Sequence, residues 1–285
     1  MLLGAHMSIA GGLYKAFERG AVVGCQAMQV FTKSERQWKA KPILEADLAA
    51  WKKAKASSTI GTVITHDSYL INLGNPTAEK WEKSLEAFQE EIDRNITLEI
   101  PYLVTHAGSH MGSGEEACIK QIAKAVNQIH SNYTTMPGTM ILFETTAGQG
   151  TAIGYKFEHW AMLLEQLDHP DWTGICFDTC HVFASGYDLS TAEGYADTMA
   201  KFDSLIGLHK IKAFHLNDSK QGLGCRVDRH EGIGKGAIGI EGFRCLMNDP
   251  HFTNIPMVIE TPKIKDDDPA EDIVNLATLR GLIKN

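Results

Sequence analysis

Met140-Ile141-Leu142-Phe143-Glu144 is a short apolar run that stops at a carboxylate, and the same design recurs on both sides of it. Upstream, Gly61-Thr62-Val63-Ile64-Thr65 ends at His66, and Tyr102-Leu103-Val104-Thr105 ends at His106. Downstream, Gly174-Ile175-Cys176-Phe177 ends at Asp178, Ile211-Lys212-Ala213-Phe214 at His215, and Pro256-Met257-Val258-Ile259 at Glu260. Successive end residues lie 40, 38, 34, 37 and 45 positions apart, which is the length of one strand plus one helix in a parallel β/α array. Two further runs, residues 2–5 ending at His6 and 27–31 ending at Thr32, bring the strands to eight. A closed barrel would gather the end residues of its strands on one rim, the rim where enzymes of this fold carry their chemistry. The expected fold is therefore α/β, a single-domain TIM (β/α)8 barrel over residues 1–285 with its active site at the C-terminal rim of the strands.

The segments between the runs read as helices at residues 14–20, 45–56, 77–94, 115–130, 157–167, 191–205, 239–247 and 270–283. Asn75 with Pro76 has the pattern of an N-cap followed by proline at the first helical position, and Ser190-Thr191-Ala192-Glu193 has the spacing of a capping box. Gly148-Gln149-Gly150 and Gly234-Lys235-Gly236 mark tight turns in the upper loops and match neither a P-loop nor a dinucleotide fingerprint. The charged run at residues 263–268 reads as a solvated loop.

An apolar share of 44% and a charged share of 22% are ordinary for a globular protein, and no apolar run approaches the length of a membrane span. Met1-Leu2-Leu3-Gly4-Ala5 lacks a basic stretch followed by a long apolar one, so a cytoplasmic location is expected. The six cysteines form no Cys-x-x-Cys pair and are expected as free, mostly buried thiols. A formal charge of -8 is unlike the basic footprint of most nucleic-acid binders. Three divalent cations would offset most of it, and would concentrate positive charge where a phosphate would sit.

Three more candidate ligands stand just beyond the strand ends: His181 in Asp178-Thr179-Cys180-His181, and Asp228 with His230 in Arg226-Val227-Asp228-Arg229-His230. A lone histidine or carboxylate at a strand end is more often a satisfied polar group than a ligand, but six in register are not. Nine residues then converge: His66, His106, Glu144, Asp178, His181, His215, Asp228, His230 and Glu260. The mixture of imidazoles and carboxylates suits zinc best and leaves manganese or iron open. Nine donors exceed the needs of one ion, so three ions with a bridging carboxylate are expected, with positions left for water and a substrate phosphate. His6 and His110 are candidates for orienting a ligating imidazole from behind, while His130, His159, His169, His209 and His251 read as helix or loop surface residues.

His66-Asp67-Ser68-Tyr69-Leu70-Ile71-Asn72-Leu73, Asp178-Thr179-Cys180-His181, His215-Leu216-Asn217-Asp218-Ser219 and Arg226-Val227-Asp228-Arg229-His230-Glu231 resemble the signatures of the endonuclease IV family of apurinic/apyrimidinic endonucleases. The resemblance runs from Gly4 to Glu260. It implies a zinc-dependent DNA-repair enzyme with three zinc ions, manganese being able to take one position. His66 and His106 would hold the first ion, Glu144 would bridge it to the second, Asp178, His215 and Glu260 would complete the second, and His181, Asp228 and His230 would hold the third. Glu144 and Glu260 are assigned the catalytic role. The implied reaction is cleavage of the phosphodiester on the 5′ side of an abasic site to leave a 3′-hydroxyl, together with removal of 3′-blocking groups. The implied partner is double-stranded DNA carrying such lesions, and a monomer suits a protein that must wrap bent duplex. Two departures stand out: Ala107 replaces the proline usual after His106, and Ser34-Glu35 stands where Asn-Gln is common, placing an acid beside the DNA surface.

The chemistry of the donor set leads to the same expectation. Zinc lowers the pKa of a bound water from 15.7 to about 7, so a zinc-borne hydroxide can attack a phosphodiester at neutral pH. Arg36, Gln37 and Trp38 after the second strand, with Tyr69 and Leu70 after the third, offer a cation, an amide and apolar wedges. Wedges of this kind enter an unstacked duplex, and an abasic nucleotide has no base to unstack. By resemblance, Arg36, Gln37, Tyr69 and Leu70 contact DNA; Trp38 is balanced between that role and covering the barrel top. The rival reading is a single-metal sugar isomerase or epimerase of the xylose-isomerase-like barrel type. Glu144, Asp178, His215 and Glu260 suit both readings, whereas His66, His106, Asp228 and His230 have no use in a one-ion sugar site. A barrel that only binds metal or DNA is the non-catalytic alternative.

Overall fold

A computed structural model describes residues 1–264 and 268–284. Eight parallel strands close into a barrel: β1 (Leu2–His6), β2 (Ala27–Val30), β3 (Thr62–His66), β4 (Tyr102–Thr105), β5 (Met140–Glu144), β6 (Thr173–Asp178), β7 (Ile211–His215) and β10 (Pro256–Ile259). β1 pairs with both β2 and β10, which closes the ring and leaves the barrel sheet without an edge. Two short strands, β8 (Asp218–Ser219) and β9 (His230–Glu231), form a small antiparallel pair above the rim.

Alternation along each strand sends every second residue into the barrel. Ala27, Ile64, Val104, Leu142, Cys176, Ala213 and Val258 meet there as a separate buried cluster, a plug that fills the middle of the barrel. The outward-facing residues join the larger core beneath the helices. Gly4 belongs to the inward set of β1, and a Cβ placed on it would lie 1.5 Å from the carbonyl oxygen of Ala27. Backbone cannot yield as a side-chain tip does, so Gly4→Ala is expected to cost at least about 3 kcal/mol. A urea melt of the variant checks this, and a midpoint equal to wild type would contradict the close approach.

The helices ring the barrel: α1 (Lys15–Val23), α2 (Glu45–Ser57), α3 (Ala78–Leu98), α4 (Glu115–His130), α5 (Phe157–Leu164), α6 (Thr179–Ser185), α7 (Ala192–Leu205), α8 (Gly239–Met247) and α9 (Ala270–Leu282). α3 shows why they form. Trp81, Ser84, Ala87, Phe88, Glu91, Ile92, Asn95 and Leu98 recur every three or four residues and make up its buried face. No helix among the described residues is long and apolar enough to cross a membrane. The six cysteines are free, four of them buried.

Several local expectations are corrected. Asn75 does not cap α3; its Oδ1 accepts from Thr77 N at 3.0 Å in a turn ahead of the helix, and Thr77 holds the N-cap position. The capping box at Ser190 does not form, because Asp188 engages Ser190 and it is Thr191 Oγ1 that accepts from Gly194 N at 3.0 Å. α6, absent from the sequence reading, starts directly at the end of β6. His130 and His159 are buried, not surface residues. His159 Nδ1 accepts from Gly154 N at 3.1 Å, and the His130 ring packs edge-on to Trp172. Residues 265–267 of the charged run lie outside the described residues.

Candidate metal centre

Two positions beyond each residue of the apolar plug, the inward-facing side chains are Gln29, His66, His106, Glu144, Asp178, His215 and Glu260. Period-two geometry thus lays a polar layer directly on the apolar one. The residues expected from sequence fall into groups whose ligand atoms lie within 4.8 Å of one another: His66, His106 and Glu144; Glu144, Asp178, His215 and Glu260; and Asp178, His181 and His230. A further group joins Cys180, Asp228 and His230. Glu144 belongs to the first two groups and Asp178 to the second and third, so the groups form one continuous cluster.

Glu144 lies at the hub. Its Oε2 is 3.0 Å from His66 Nε2 and 3.2 Å from His106 Nε2, while its Oε1 is 2.9 Å from His215 Nδ1 and 3.2 Å from His181 Nδ1. Burial alone would raise its pKa, yet the His215 and His106 imidazoles hold it well below the ordinary carboxylate value. Asp178, fully buried at the end of β6, has its carboxyl raised by burial. Its Oδ1 caps α6 by accepting from His181 N at 2.8 Å, and its Oδ2 accepts from Asn217 Nδ2 at 2.7 Å. Capping explains why a helix follows the strand without a loop, and it swings His181 back over the rim.

The histidines are aimed by their outer nitrogens. His66 Nδ1 donates to Asp67 O at 2.9 Å, His181 Nδ1 to Thr145 O at 2.8 Å and His230 Nδ1 to Glu260 O at 3.2 Å. His66 thus turns Nε2 to Glu144, and His181 and His230 turn Nε2 to Asp228. His181 Nε2 and His230 Nε2 both lie 3.2 Å from Asp228 Oδ1, yet neither buried nitrogen makes a hydrogen bond. Orphaned, inward-aimed imidazole nitrogens beside carboxylates are what a divalent cation requires, and a hydrogen bond behind each ring is the usual support of a ligating histidine. The donor set thus fits zinc.

His230 is held over the cluster by pairing of β8 with β9, in which Ser219 lies opposite His230. Asp218 secures the loop that follows, its carboxylate accepting from Gly236 N at 3.0 Å and Ile238 N at 2.9 Å. Gly236 allows that approach, since a Cβ there would meet Ser219 O at 2.3 Å. Gly234 takes φ 75, so this glycine pair shapes a turn, as expected from sequence.

The cluster is deep on one side and open on the other. His66, Asp178, His181 and His215 are buried, whereas the His106 and Asp228 side chains are 37% and 44% exposed. A cavity of about 440 Å³ opens beside them, lined by Asp67, Tyr69, Asn72, His106, Ser109 and Asp228 among others. Tyr69, 62% exposed, sets its ring 5.7 Å from those of Phe31 and His66. Leu70 is half-buried, and Arg36 and Gln37 are exposed. Arg36 Nε lies 3.3 Å from Glu35 Oε1, so the unusual acid pairs with the neighbouring cation. Trp38 packs partly into the core with Lys83 Nζ 4.2 Å from its ring, which favours the covering role.

The loop bearing these residues is bolted to α3. Lys33, itself buried, lies 3.2 Å from Glu90 and 3.3 Å from Glu91 and donates to Trp38 O at 3.3 Å. Arg94 spans both ends of the loop, with Nε on Thr32 Oγ1 at 2.9 Å, Nη2 on Thr32 O and Nη1 on Lys41 O at 3.0 Å.

His6 and His110 fare differently. His6 meets Gln29 Nε2 at 3.1 Å, behind the cluster, whereas His110 Nδ1 accepts from Gly112 N at 3.1 Å in its own loop. Two buried residues escaped the sequence reading. Asn217 joins Asp178 to the backbone of Glu260, whose N–H donates to Asn217 Oδ1 at 2.8 Å. Gln29, on β2, touches both His215 and Glu260. Counting two positions on from Ala27 would have found it.

A closed parallel barrel with a cluster of candidate metal-binding groups on its C-terminal rim defines the class, and the family model for the xylose isomerase-like TIM barrel matches residues 17–279. Within that class the chain belongs to the endonuclease IV family. It is 53% identical over 281 residues to a probable endonuclease 4 of Chloroflexus aurantiacus, covering 99% of this chain and 98% of that one. A probable endonuclease 4 of Geobacter sulfurreducens is 49% identical, with 99% and 94% covered. The crystal structure of endonuclease IV from Thermus thermophilus superposes with a TM-score of 0.86 at 31% identity, over 99% of this chain and 98% of that one. A D-tagatose 3-epimerase-like protein, at 16% identity and a TM-score of 0.73, shares the fold.

Proposed function

We propose that this protein is a DNA-repair endonuclease that hydrolyses the phosphodiester 5′ to an abasic site, leaves a 3′-hydroxyl, and also removes 3′-blocking groups. The observation that carries the reading is the continuity of the cluster: His66 and His106 on one side, and His181, Asp228 and His230 on the other, flank the four groups that a one-ion site would need. Membership of the endonuclease IV family supports it. The three zinc ions would be held by His66, His106 and Glu144, by Glu144, Asp178, His215 and Glu260, and by His181, Asp228 and His230, with manganese able to replace one. Zinc, when bound there, supplies concentrated positive charge for the phosphate oxygens and lowers the pKa of an attacking water toward neutrality.

The chain's own residues do the rest. Glu144 ties two groups together, so it sets the spacing across which a phosphate must fit. His106 and Asp228 stand on the open side and admit the phosphodiester, while the buried side excludes bulk water. Burial would raise Glu260, but the His215 imidazole holds it below the ordinary carboxylate value. Ionised at neutral pH, with Oε1 occupied by Gln29, it keeps Oε2 toward the cluster, where it would help hold the cation and orient the attacking water, with no separate protein base required. The cavity beside His106 and Asp228 receives the extruded abasic sugar, which costs less to flip than a stacked nucleotide. Tyr69 and Leu70 fill the gap left in the duplex, and Arg36 with Gln37 contacts the strand beside it.

Elemental analysis combined with cleavage of an oligonucleotide carrying one abasic analogue tests this function. Three metals per chain and a single nick 5′ to the lesion are expected; one metal with ketose epimerisation and intact DNA would sink the reading. Tyr69→Ala or Arg36→Ala is expected to weaken binding of abasic duplex by about 1–3 kcal/mol at moderate salt, with metal content unchanged. Unaltered affinity would remove these residues from the DNA surface.

A further inference from the structure

We propose that Gln29 is a positioning residue of the centre, whose side-chain amide decides which nitrogen of His215 and which oxygen of Glu260 face the cluster. The inference rests on reading Glu144, Asp178, His215 and Glu260 as a cation site. Gln29 is fully buried on β2, a strand that contributes no ligand to that site. Its Oε1 lies 2.7 Å from His215 Nε2, while its Nε2 lies 2.6 Å from Glu260 Oε1 and 3.1 Å from His6 Nδ1.

The network admits one orientation of the amide. Turned over, its oxygen would face a carboxylate oxygen at 2.6 Å, acceptor against acceptor. Gln29 Oε1 therefore accepts from His215 Nε2–H, and its two N–H groups go to Glu260 and His6. A neutral imidazole carries one N–H. Spending it on Gln29 leaves Nδ1 bare, and Nδ1 is the nitrogen 2.9 Å from Glu144 Oε1 and 3.3 Å from Glu260 Oε2. At His66, His181 and His230 a backbone carbonyl takes the outer N–H and leaves Nε2 inward. His215 is turned the other way round, with a side chain as its acceptor, so its orientation can be changed by mutation. The same amide pins Glu260 Oε1 and leaves Oε2 toward His215. Removing a partner of this kind from behind a ligating group commonly costs 10–100-fold in metal affinity.

Zinc affinity measured by competition with a chromophoric chelator, and the His215 tautomer read from ¹⁵N imidazole shifts of the zinc-loaded protein, test the role. Gln29→Met, close in shape but without either hydrogen bond, is expected to lose about 10–100-fold in zinc affinity and to give His215 a mixture of tautomers. Gln29→Glu keeps the acceptor toward His215 and, protonated on the oxygen that meets Glu260 Oε1, keeps a donor there, so it is expected to hold His215 in the Nε2–H form. A folded Gln29→Met protein with wild-type affinity and a single tautomer overturns the proposal, as does a Gln29→Glu protein that loses the tautomer as fully as Gln29→Met. If Gln29→Met does not fold, Gln29→Leu carries the same expectation and the same refutation. Wild-type protein that takes up no zinc would instead overturn the cation-site reading beneath it.

Discussion

Glu144→Ala is expected to lower cleavage of abasic DNA by at least ~10³-fold, beyond the loss of a single stabilising donor in an active site. The side chain approaches four imidazoles within 3.2 Å and belongs to two of the candidate groups at once. Its removal takes the only carboxylate from the group with His66 and His106, leaving two neutral ligands to hold a cation. It also takes one of three carboxylates from the neighbouring group. Metal content should therefore fall together with turnover, which separates this variant from one that merely misplaces substrate. Glu144→Gln, which keeps the shape and loses the charge, should share the defect. A Glu144→Ala protein that retains its full metal complement and near-normal turnover would falsify the assignment.

Removing metal with a chelator is expected to abolish cleavage and to lower the thermal midpoint by roughly 10 °C or more. A ligand bound only to the folded state adds about 4 kcal/mol at a thousandfold excess over its dissociation constant, and each kcal/mol is worth roughly 2–4 °C in a chain of this size. Stripped of cations, the cluster must neutralise its carboxylates with protons. Burial would lower His230, but Asp228 and Asp178 beside it raise it from 6.5 to about 9, and His181 is raised well above its ordinary value by the same two carboxylates against burial. A histidine with a raised folded-state pKa stabilises fully below its unfolded value and loses that contribution as pH climbs through the folded one. The metal-free protein should thus lose stability between about pH 6.5 and 9, the interval of the His230 shift. Zinc-loaded protein should gain relative to it across the same interval, because deprotonation favours binding. Melts with and without chelator at both ends of the interval decide it; parallel curves would mean that no cation occupies the mouth.

The barrel was legible because each strand is short, apolar and stopped by a polar residue, a pattern that depends only on local order. The rim residues were legible for the same reason, since alternation places the stop residue on the inward face. Gln29 was missed because the second run was read through to Thr32, past the polar inward residue hidden inside it. Asp178-Thr179-Cys180-His181 has the form of a ligand motif, and that form masks the short helix that Asp178 caps. His130 and His159 misled because a histidine on a helix says nothing of which face it occupies. Burial is decided by partners distant in sequence, such as Trp172 and the backbone of Gly154. The bolt between Lys33, Glu90, Glu91 and Arg94 joins segments too far apart for any local pattern to reveal.

That bolt has a mechanical meaning. A segment fastened at both ends by Arg94 and through its middle by Lys33 behaves as a stiff prong, and a stiff prong cannot mould itself to an intact double helix. In the proposed complex the strain of engagement would then fall on the nucleic acid, whose bending costs several kcal/mol in sound duplex and less where a missing base has already softened the stack. Selection of damage would begin with compliance, before any group reaches the phosphate.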